Sequence, residues 1–136
     1  MIRKILVGTD TSASADLAVE GAADMARAND AELLVLYVKP PVEAREVFDP
    51  NKKADPATYL TRMPQRFPDL RTRTLTESGE PADAICRVAE EESVDTIVVG
   101  NRGTHDNRRS FLRAVPTEVI RRSPCSVVIV DTRRAQ

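Results

Sequence analysis

The chain contains little of what several functional classes require. Its 136 residues include no tryptophan, few aromatic residues (4%), one histidine and two cysteines. The single histidine, His105, rules out a histidine-rich metal site, and we expect no metal ligands. Cys86 and Cys125 are far apart and form no Cys-x-x-Cys pair, so they are interpreted as buried thiols that pack as small hydrophobic groups.

Long hydrophobic runs are also missing. No run approaches the roughly 20 apolar residues that span a bilayer, and the apolar run near the N-terminus is too short for a signal peptide. These absences predict a cytoplasmic protein with no membrane partner. The net charge of −1 gives no overall attraction to nucleic acid, although arginine is concentrated after Asn101. We therefore expect no nucleic-acid partner.

The chain does have the length and composition of one folded domain, which we place over residues 1–136. Hydrophobic residues make up 41% and charged residues 30%, both ordinary for a globular protein. A chain of this length buries enough surface to fold without a disulfide or a structural metal.

Short apolar runs predict the strands. Continuous runs are typical of strands buried on both faces of a parallel sheet, and they occur at residues 5–7, 33–38, 96–99 and 127–130. The alternating, threonine-rich segment 71–77 predicts a more exposed strand at a sheet edge.

Helical spacing of apolar residues appears between these runs. Segment 15–27 carries an alanine stripe that predicts close approach to the sheet, with Ser12 or Ser14 as the N-cap and Asp16 near the positive end of the helix dipole. Further helices are predicted from Pro81 and over 115–122. The proline-rich middle predicts a long loop and then a short helix over 56–67, which Pro64 breaks or kinks.

Alternating strands and helices specify an α/β fold, a parallel sheet with helices on both faces. In such sheets, ligands bind beyond the carboxyl ends of the strands. Asp10 follows the first strand and could accept a hydrogen bond from a ligand amine or hydroxyl; the alternative is that it only builds a turn. Gly100 and Gly103 follow the fourth strand and open an arginine-rich loop, which either binds phosphate or is simply solvated.

Several enzyme signatures are absent from these loops. The glycine spacing is neither that of a Walker A loop nor Gly-x-Gly-x-x-Gly, and no serine lies in a nucleophile elbow. The loop after the first strand lacks the Ser-Gly-Gly of adenylating enzymes and the His-x-Gly-His of nucleotidyltransferases. A response-regulator receiver would need further acids and a lysine after the last strand, where Asp131 stands. We expect no catalytic residues and no enzyme activity.

Taken in order, the segments resemble the universal stress protein family over nearly the whole length. The matching stretches are "ILVGTDTSASADLAVEGAADMA", "AELLVLYVKPP", "GEPADAICRVAEEESVDTIVVGNRG" and "VPTEVIRRSPCSVVIV". The resemblance implies a three-layer α/β/α fold of the adenine nucleotide alpha hydrolase-like type, with a five-stranded parallel sheet of order 3-2-1-4-5. It also implies a homodimer that pairs the last strands through Val127, Val128, Ile129 and Val130.

Members of this family that bind ATP resemble one another in a motif, Gly-x2-Gly-x9-Gly-[Ser/Thr]. Gly100 and Gly103 match it, but Arg113 and Ala114 replace the last two residues, and the match resumes at Val115. The resemblance places Asp10 beside the adenosine, the Val38 backbone at the adenine, and Gly100 to Gly103 at the ribose and phosphates. The candidate nucleotide-binding residues are Thr9, Asp10, Val38, Gly100, Arg102, Gly103, Arg113, Ala114 and Val115.

The departure at Arg113 leaves two hypotheses open. In the first, the protein is a homodimeric stress-response regulator that binds ATP, with Mg²⁺ only as the nucleotide's companion, and Arg113 contacts phosphate. In the second, Arg113 fills the pocket and the chain is a nucleotide-independent module that binds protein partners, whose identity the sequence does not reveal.

Overall fold

The structure is a computed structural model that describes residues 1–39, 55–101 and 115–132. Five parallel strands form one sheet in the order β3-β2-β1-β4-β5. This confirms the predicted α/β class and the order 3-2-1-4-5. The strands are β1 (Lys4–Thr9), β2 (Glu32–Lys39), β3 (Thr72–Ser78), β4 (Thr96–Gly100) and β5 (Ser126–Val130).

Helices cover both faces of this sheet. In the described ranges they are α1 (Ala13–Asn29), α2 (Pro56–Thr61), α3 (Met63–Arg66), α4 (Pro81–Glu91) and α5 (Val115–Arg122). Side chains of α1, α2 and α3 share one hydrophobic cluster with one face of the strands. Side chains of α4 and α5 share a second cluster with the other face. The molecule therefore has three layers, as the resemblance implied.

The first helix packs closely because its inner side is built from small residues. Ser12 is the N-cap and accepts a hydrogen bond from the Ala15 N–H at 3.1 Å. Alanines on the inner side are fully buried. A Cβ added at Gly21 would lie only 3.2 Å from Val130 Cγ2 of β5. The alanine stripe thus predicted correctly where this helix meets the sheet.

The segment after β2 differs from its prediction. We expected one short helix over 56–67, broken or kinked at Pro64, but the structure has two helices that meet at Arg62. Pro64 lies in the first turn of α3, where its missing N–H costs nothing. The break therefore lies upstream of the proline. The inner side of this pair carries Tyr59, Leu60 and Met63, all buried.

The two cysteines are less buried than expected. Cys86 and Cys125 are both free thiols of intermediate exposure that pack against the second cluster. Cys125 directly precedes the edge strand β5, and among the described residues no strand lies beyond β5 to cover it. Partial burial still raises the pKa of both thiols.

The sheet has two edges of different character. β3 forms one edge with threonines and charged residues, as the sequence predicted, and β5 forms the other. We expected the run 127–130 to be buried on both faces, but β5 lies at the sheet edge and is only partly buried, and Ile129 remains 39% exposed. Within the described ranges, no helix combines the length and apolar character needed to cross a membrane.

Candidate functional site

The candidate site lies where the order of the strands in the sheet reverses, between β1 and β4. Strand β1 pairs with β2 on one side and with β4 on the other. After β1 the chain continues to β2, and after β4 it continues to β5 on the opposite side, so these two adjacent strands lead in opposite directions across the sheet. The carboxyl ends of β1 and β4 carry Thr9 and Gly100. Crevices at such points are the usual ligand sites of open α/β sheets.

The structure brings part of the predicted site to this edge. Thr9, Asp10 and Gly100 lie at the ends of β1 and β4, and Val38 lies near the end of β2. Val115 is buried at the start of α5. The remaining candidates, Arg102, Gly103, Arg113 and Ala114, lie outside the described residues.

Asp10 is buried, with 4% of its surface exposed, and helps to build the turn before α1. Its Oδ1 accepts a hydrogen bond from the Ser12 N–H at 2.9 Å. Beside it, Thr9 Oγ1 accepts one from the Thr11 N–H, also at 2.9 Å. The carboxylate therefore has the turn-building role that the alternative interpretation gave it. A carboxylate offers about four lone-pair positions, so this role is compatible with binding a ligand donor as well.

Thr11 is an unusual residue that sequence analysis missed. Its φ is 68°, a left-handed conformation that a β-branched residue rarely adopts. The side chain is fully buried, and Thr11 Oγ1 has no hydrogen-bond partner in the described part of the chain. Each of these features costs on the order of 1 to 3 kcal/mol. The loop between β1 and α1 is therefore held in a strained conformation.

We expect Thr11→Gly to stabilise the protein. Glycine adopts a positive φ freely and removes the unpaired hydroxyl, while its greater freedom in the unfolded chain offsets part of the gain. The net increase in the free energy of unfolding should be about 1 kcal/mol, measured by urea denaturation. Thr11→Ser keeps both the hydroxyl and the positive φ and should change stability little. A less stable glycine variant would show that the Thr11 side chain contributes more than it costs.

Gly100 has a packing role that does not depend on a ligand. A Cβ added there would lie 2.8 Å from Thr132 Cγ2, too close for a real contact. Asn101 holds Thr132 in place, since its Oδ1 accepts from the Thr132 N–H at 3.0 Å and from Thr132 Oγ1 at 3.2 Å. The glycine thus lets the chain after β5 close over the end of β4.

A largely buried polar cluster holds the first turn of α1 from the side of α2 and α3. Arg66 binds Asp16 through both terminal nitrogens, Nη1 to Oδ1 at 2.7 Å and Nη2 to Oδ2 at 3.0 Å. The Tyr59 hydroxyl donates a short hydrogen bond to Asp16 Oδ1. The Arg66 guanidinium lies 4.9 Å from the centre of the Phe67 ring. Sequence analysis had placed Asp16 only as a partner of the helix dipole, because Tyr59 and Arg66 are distant in sequence.

The electrostatics of this cluster follow from burial and charge pairing. Burial, then the hydrogen bond to Asp16, raises the pKa of Tyr59 well above its ordinary range. The hydrogen bond to Asp16 likewise raises the pKa of Arg66. Tyr59 therefore stays neutral and Arg66 stays charged at any physiological pH. Among the described ranges, no group of three or more His, Cys, Asp or Glu side chains is placed to hold a metal ion.

Comparison with known proteins agrees with the fold and the order of the elements. The model of the universal stress protein family matches residues 1–131. A universal stress protein of Mycobacterium tuberculosis is 32% identical over 142 residues, covering 96% of this chain and 97% of the relative. One from Thermus aquaticus is also 32% identical, covering 96% and 99%.

Solved structures give the same result. The crystal structure of a universal stress protein in complex with cAMP superposes with a TM-score of 0.72 at 29% identity, covering 96% of this chain and 97% of that one. A universal stress protein from Lactobacillus plantarum, at 22% identity, shares the fold with a TM-score of 0.74. With the family model spanning all but the last few residues, the chain belongs to the universal stress protein family.

Proposed function

We propose that this chain is a stress-response regulator that binds an adenine nucleotide at the carboxyl ends of β1 and β4. The observation that carries the proposal is the buried Asp10 at the end of β1, beside the end of β4 where the strand order reverses. A relative that is 29% identical over nearly its whole length is described in complex with cAMP, which supports the ligand class.

The residues at this edge suit the parts of such a ligand. Asp10 would accept hydrogen bonds from ribose hydroxyls or the adenine amine, with Thr9 beside it, and the Val38 backbone would meet the base. Gly100 and Gly103 would let the chain approach the ribose and phosphates. Arg102, Arg113, Ala114 and Val115 would lie near the phosphates, a placement that rests on the family resemblance. Mg²⁺ would bind only through a nucleotide.

The proposed role is regulatory binding rather than catalysis. The single carboxylate at the end of β1 already serves the turn through Ser12, and we assign it no proton-transfer step. Ligand occupancy would instead change the arginine-rich loop and so the surface offered to partner proteins.

We further propose a homodimer formed through β5. As the outermost strand beside β4, it offers Val127, Val128, Ile129 and Val130 for pairing with a second copy. The exposed Ile129 supports this choice, since an apolar edge strand favours pairing with another chain.

Binding is tested on the purified full chain. We expect bound adenine nucleotide after denaturation, identified by absorbance and mass, or saturable binding of ATP, AMP or cAMP by calorimetry with Mg²⁺ present. Absence of bound nucleotide together with no binding at millimolar concentration would contradict the proposal.

The second candidate function is a nucleotide-independent interaction module, and Arg113 favours it. Arg113 occupies the position of the third glycine in the motif of the ATP-binding members. Ala114 occupies the next position, where that motif has the hydroxyl of serine or threonine. In this case the long side chain fills the pocket.

The double variant Arg113→Gly with Ala114→Ser separates the two functions. If Arg113 contacts phosphate, the variant loses a charge-assisted hydrogen bond, and ATP affinity falls or stays level. If Arg113 occludes the pocket, the same change raises ATP affinity by about tenfold or more. Calorimetric titration of the wild type and the double variant gives the answer, with Arg121→Gly on α5 as the control for loss of an exposed arginine.

A further inference from the structure

The loop after β4 is fastened at its start to the chain that follows β5. The Asn101 N–H donates to the Val130 carbonyl at 3.0 Å, one residue beyond the end of β4. The Asn101 Oδ1 accepts the Thr132 N–H at 3.0 Å and the Thr132 hydroxyl at 3.2 Å. Thr132 is buried, with 1% of its surface exposed. Both the backbone and the side chain of Asn101 therefore hold the loop to the end of β5.

The orientation of the Asn101 amide follows from its partner, because a backbone N–H can only donate. The oxygen must face Thr132, and Nδ2 then lies on the other side, 3.5 Å from Asp131 Oδ1. A carbonyl oxygen has two lone pairs, and Thr132 uses both. Since the Asn101 N–H already donates to Val130, a phosphate would be bound by N–H groups later in the loop.

Gly100 belongs to the same arrangement. Its φ is not positive, so the backbone conformation alone does not require glycine there. A Cβ at this position would instead lie 2.8 Å from Thr132 Cγ2, and Asn101 holds Thr132 in that place. The glycine, the asparagine and the threonine are therefore fitted to one another. We call these three residues the β4–β5 clamp.

The clamp acts at the point where the proposed ribose and phosphate loop leaves the sheet. Asn101 lies between the two loop glycines, Gly100 and Gly103. Ordering a free loop costs conformational entropy, so a ligand binds more tightly to a loop whose start the protein already holds. The two bonds from Thr132 supply such a hold.

We propose that Asn101 and Thr132 are positioning residues of the nucleotide site, which hold the start of the Gly100–Gly103 loop in its binding conformation without touching the ligand. This inference rests on the proposed function and adds to it. It gives the chain after β5, which contains none of the site residues predicted from the sequence, a role in ligand binding.

Asn101→Ala tests the inference, because it removes the acceptor of both Thr132 bonds and keeps the backbone bond to Val130. The matched control is Ser123→Ala, just before the opposite end of β5. Ser123 Oγ accepts the Cys125 N–H at 3.1 Å and donates to the Cys125 carbonyl at 2.7 Å. The control therefore also removes two side-chain hydrogen bonds to a nearby residue, at the end of β5 away from the loop.

The measurements are made on the folded full chain. Nuclear magnetic resonance without ligand gives the hydrogen exchange of the Thr132 amide and the chemical shift of the Gly103 amide, and calorimetry with Mg²⁺ gives the Kd for ATP. We expect Asn101→Ala to speed the Thr132 exchange, to shift the Gly103 amide and to weaken ATP binding about threefold to tenfold, the factor that a typical hydrogen bond contributes. Ser123→Ala should leave the Gly103 amide unshifted and the Kd within about twofold of the wild type.

A second variant shows whether Thr132 acts through Asn101. Thr132→Val keeps a methyl group over Gly100 and the backbone N–H but removes the hydroxyl, so it breaks one of the two bonds. By itself it should weaken ATP binding about threefold. In the Asn101→Ala background it should have no further effect, because the two changes then remove one shared interaction.

Three results would overturn the inference: an unshifted Gly103 amide in Asn101→Ala, a loss of ATP affinity no larger than that of Ser123→Ala, or an equal effect of Thr132→Val in both backgrounds. Each of these results is obtained with a wild type that binds ATP and leaves the proposed function standing. A wild type that binds no adenine nucleotide contradicts the proposed function itself, and the inference fails with it.

Discussion

Replacing Asp10 by alanine should weaken adenine-nucleotide binding about 10- to 100-fold, the largest effect on binding that we expect from one substitution. Asp10 is the buried acid at the end of β1, and a hydrogen bond to a charged group contributes roughly 1.5 to 3 kcal/mol. The measurement is the Kd for ATP by calorimetry, with Mg²⁺ present.

Two control variants separate the ligand contact from the turn. Asp10→Asn keeps an oxygen that can accept the Ser12 N–H, so the turn persists while the negative charge is lost. Its affinity should lie between those of the wild type and the alanine variant. Asp24→Ala removes an exposed acid of α1 and tests the change in net charge alone. Equal affinities for Asp10→Ala and Asp24→Ala would argue against a ligand contact at Asp10.

Replacing Arg66 by methionine should lower the free energy of unfolding by about 2 to 3 kcal/mol. The change keeps an apolar side chain over Phe67 but leaves the buried Asp16 carboxylate without its cation. Removing one partner of a fully buried pair costs about 3 to 5 kcal/mol, and the partial exposure of Arg66 reduces this figure. Urea denaturation at neutral pH measures the loss.

The chain offers a matched control for this prediction. Arg27 approaches the same ring, at 5.7 Å, but its acidic partners Asp24 and Asp69 are exposed. Arg27→Met should therefore cost less than about 1 kcal/mol. Adding Asp16→Asn to Arg66→Met should restore part of the lost stability, because the unpaired charge is then gone. Similar losses for the two arginine variants would mean that burial of Asp16 is not the cause.

The sequence predicted the sheet well because local pattern and global architecture agree there. Continuous apolar runs are typical of strands covered on both faces, as β1, β2 and β4 are, and only the run of β5 lies at a partly exposed edge. Their alternation with helices leaves few possible topologies. The start of α4 was equally clear, because proline is favoured in the first turn of a helix and disfavoured in its interior. Asp10 and Gly100 could be placed at one edge for the same reason, since Asp10 follows β1 directly and Gly100 ends β4.

Three features near the candidate site could not be predicted from the sequence. Tyr59 and Arg66 reach Asp16 across 43 and 50 residues, and no local spacing encodes such contacts. β-branched residues rarely adopt a positive φ, so nothing in the sequence predicted one at Thr11. The sequence predicts Gly100 as a glycine of a ligand loop, but its packing against the side chain of Thr132, which leaves no room for a Cβ, was not predictable. These features depend on tertiary contacts that the pattern does not contain.

The unequal edges of the sheet would limit how far the proposed dimer could grow. If two copies pair through β5, their sheets merge into one ten-stranded sheet whose outer strands are both β3. That strand exposes Arg73 and alternating polar residues, and charged edges resist further strand addition. Assembly would stop at two copies, so pairing through the apolar strand β5 would not lead to a fibre.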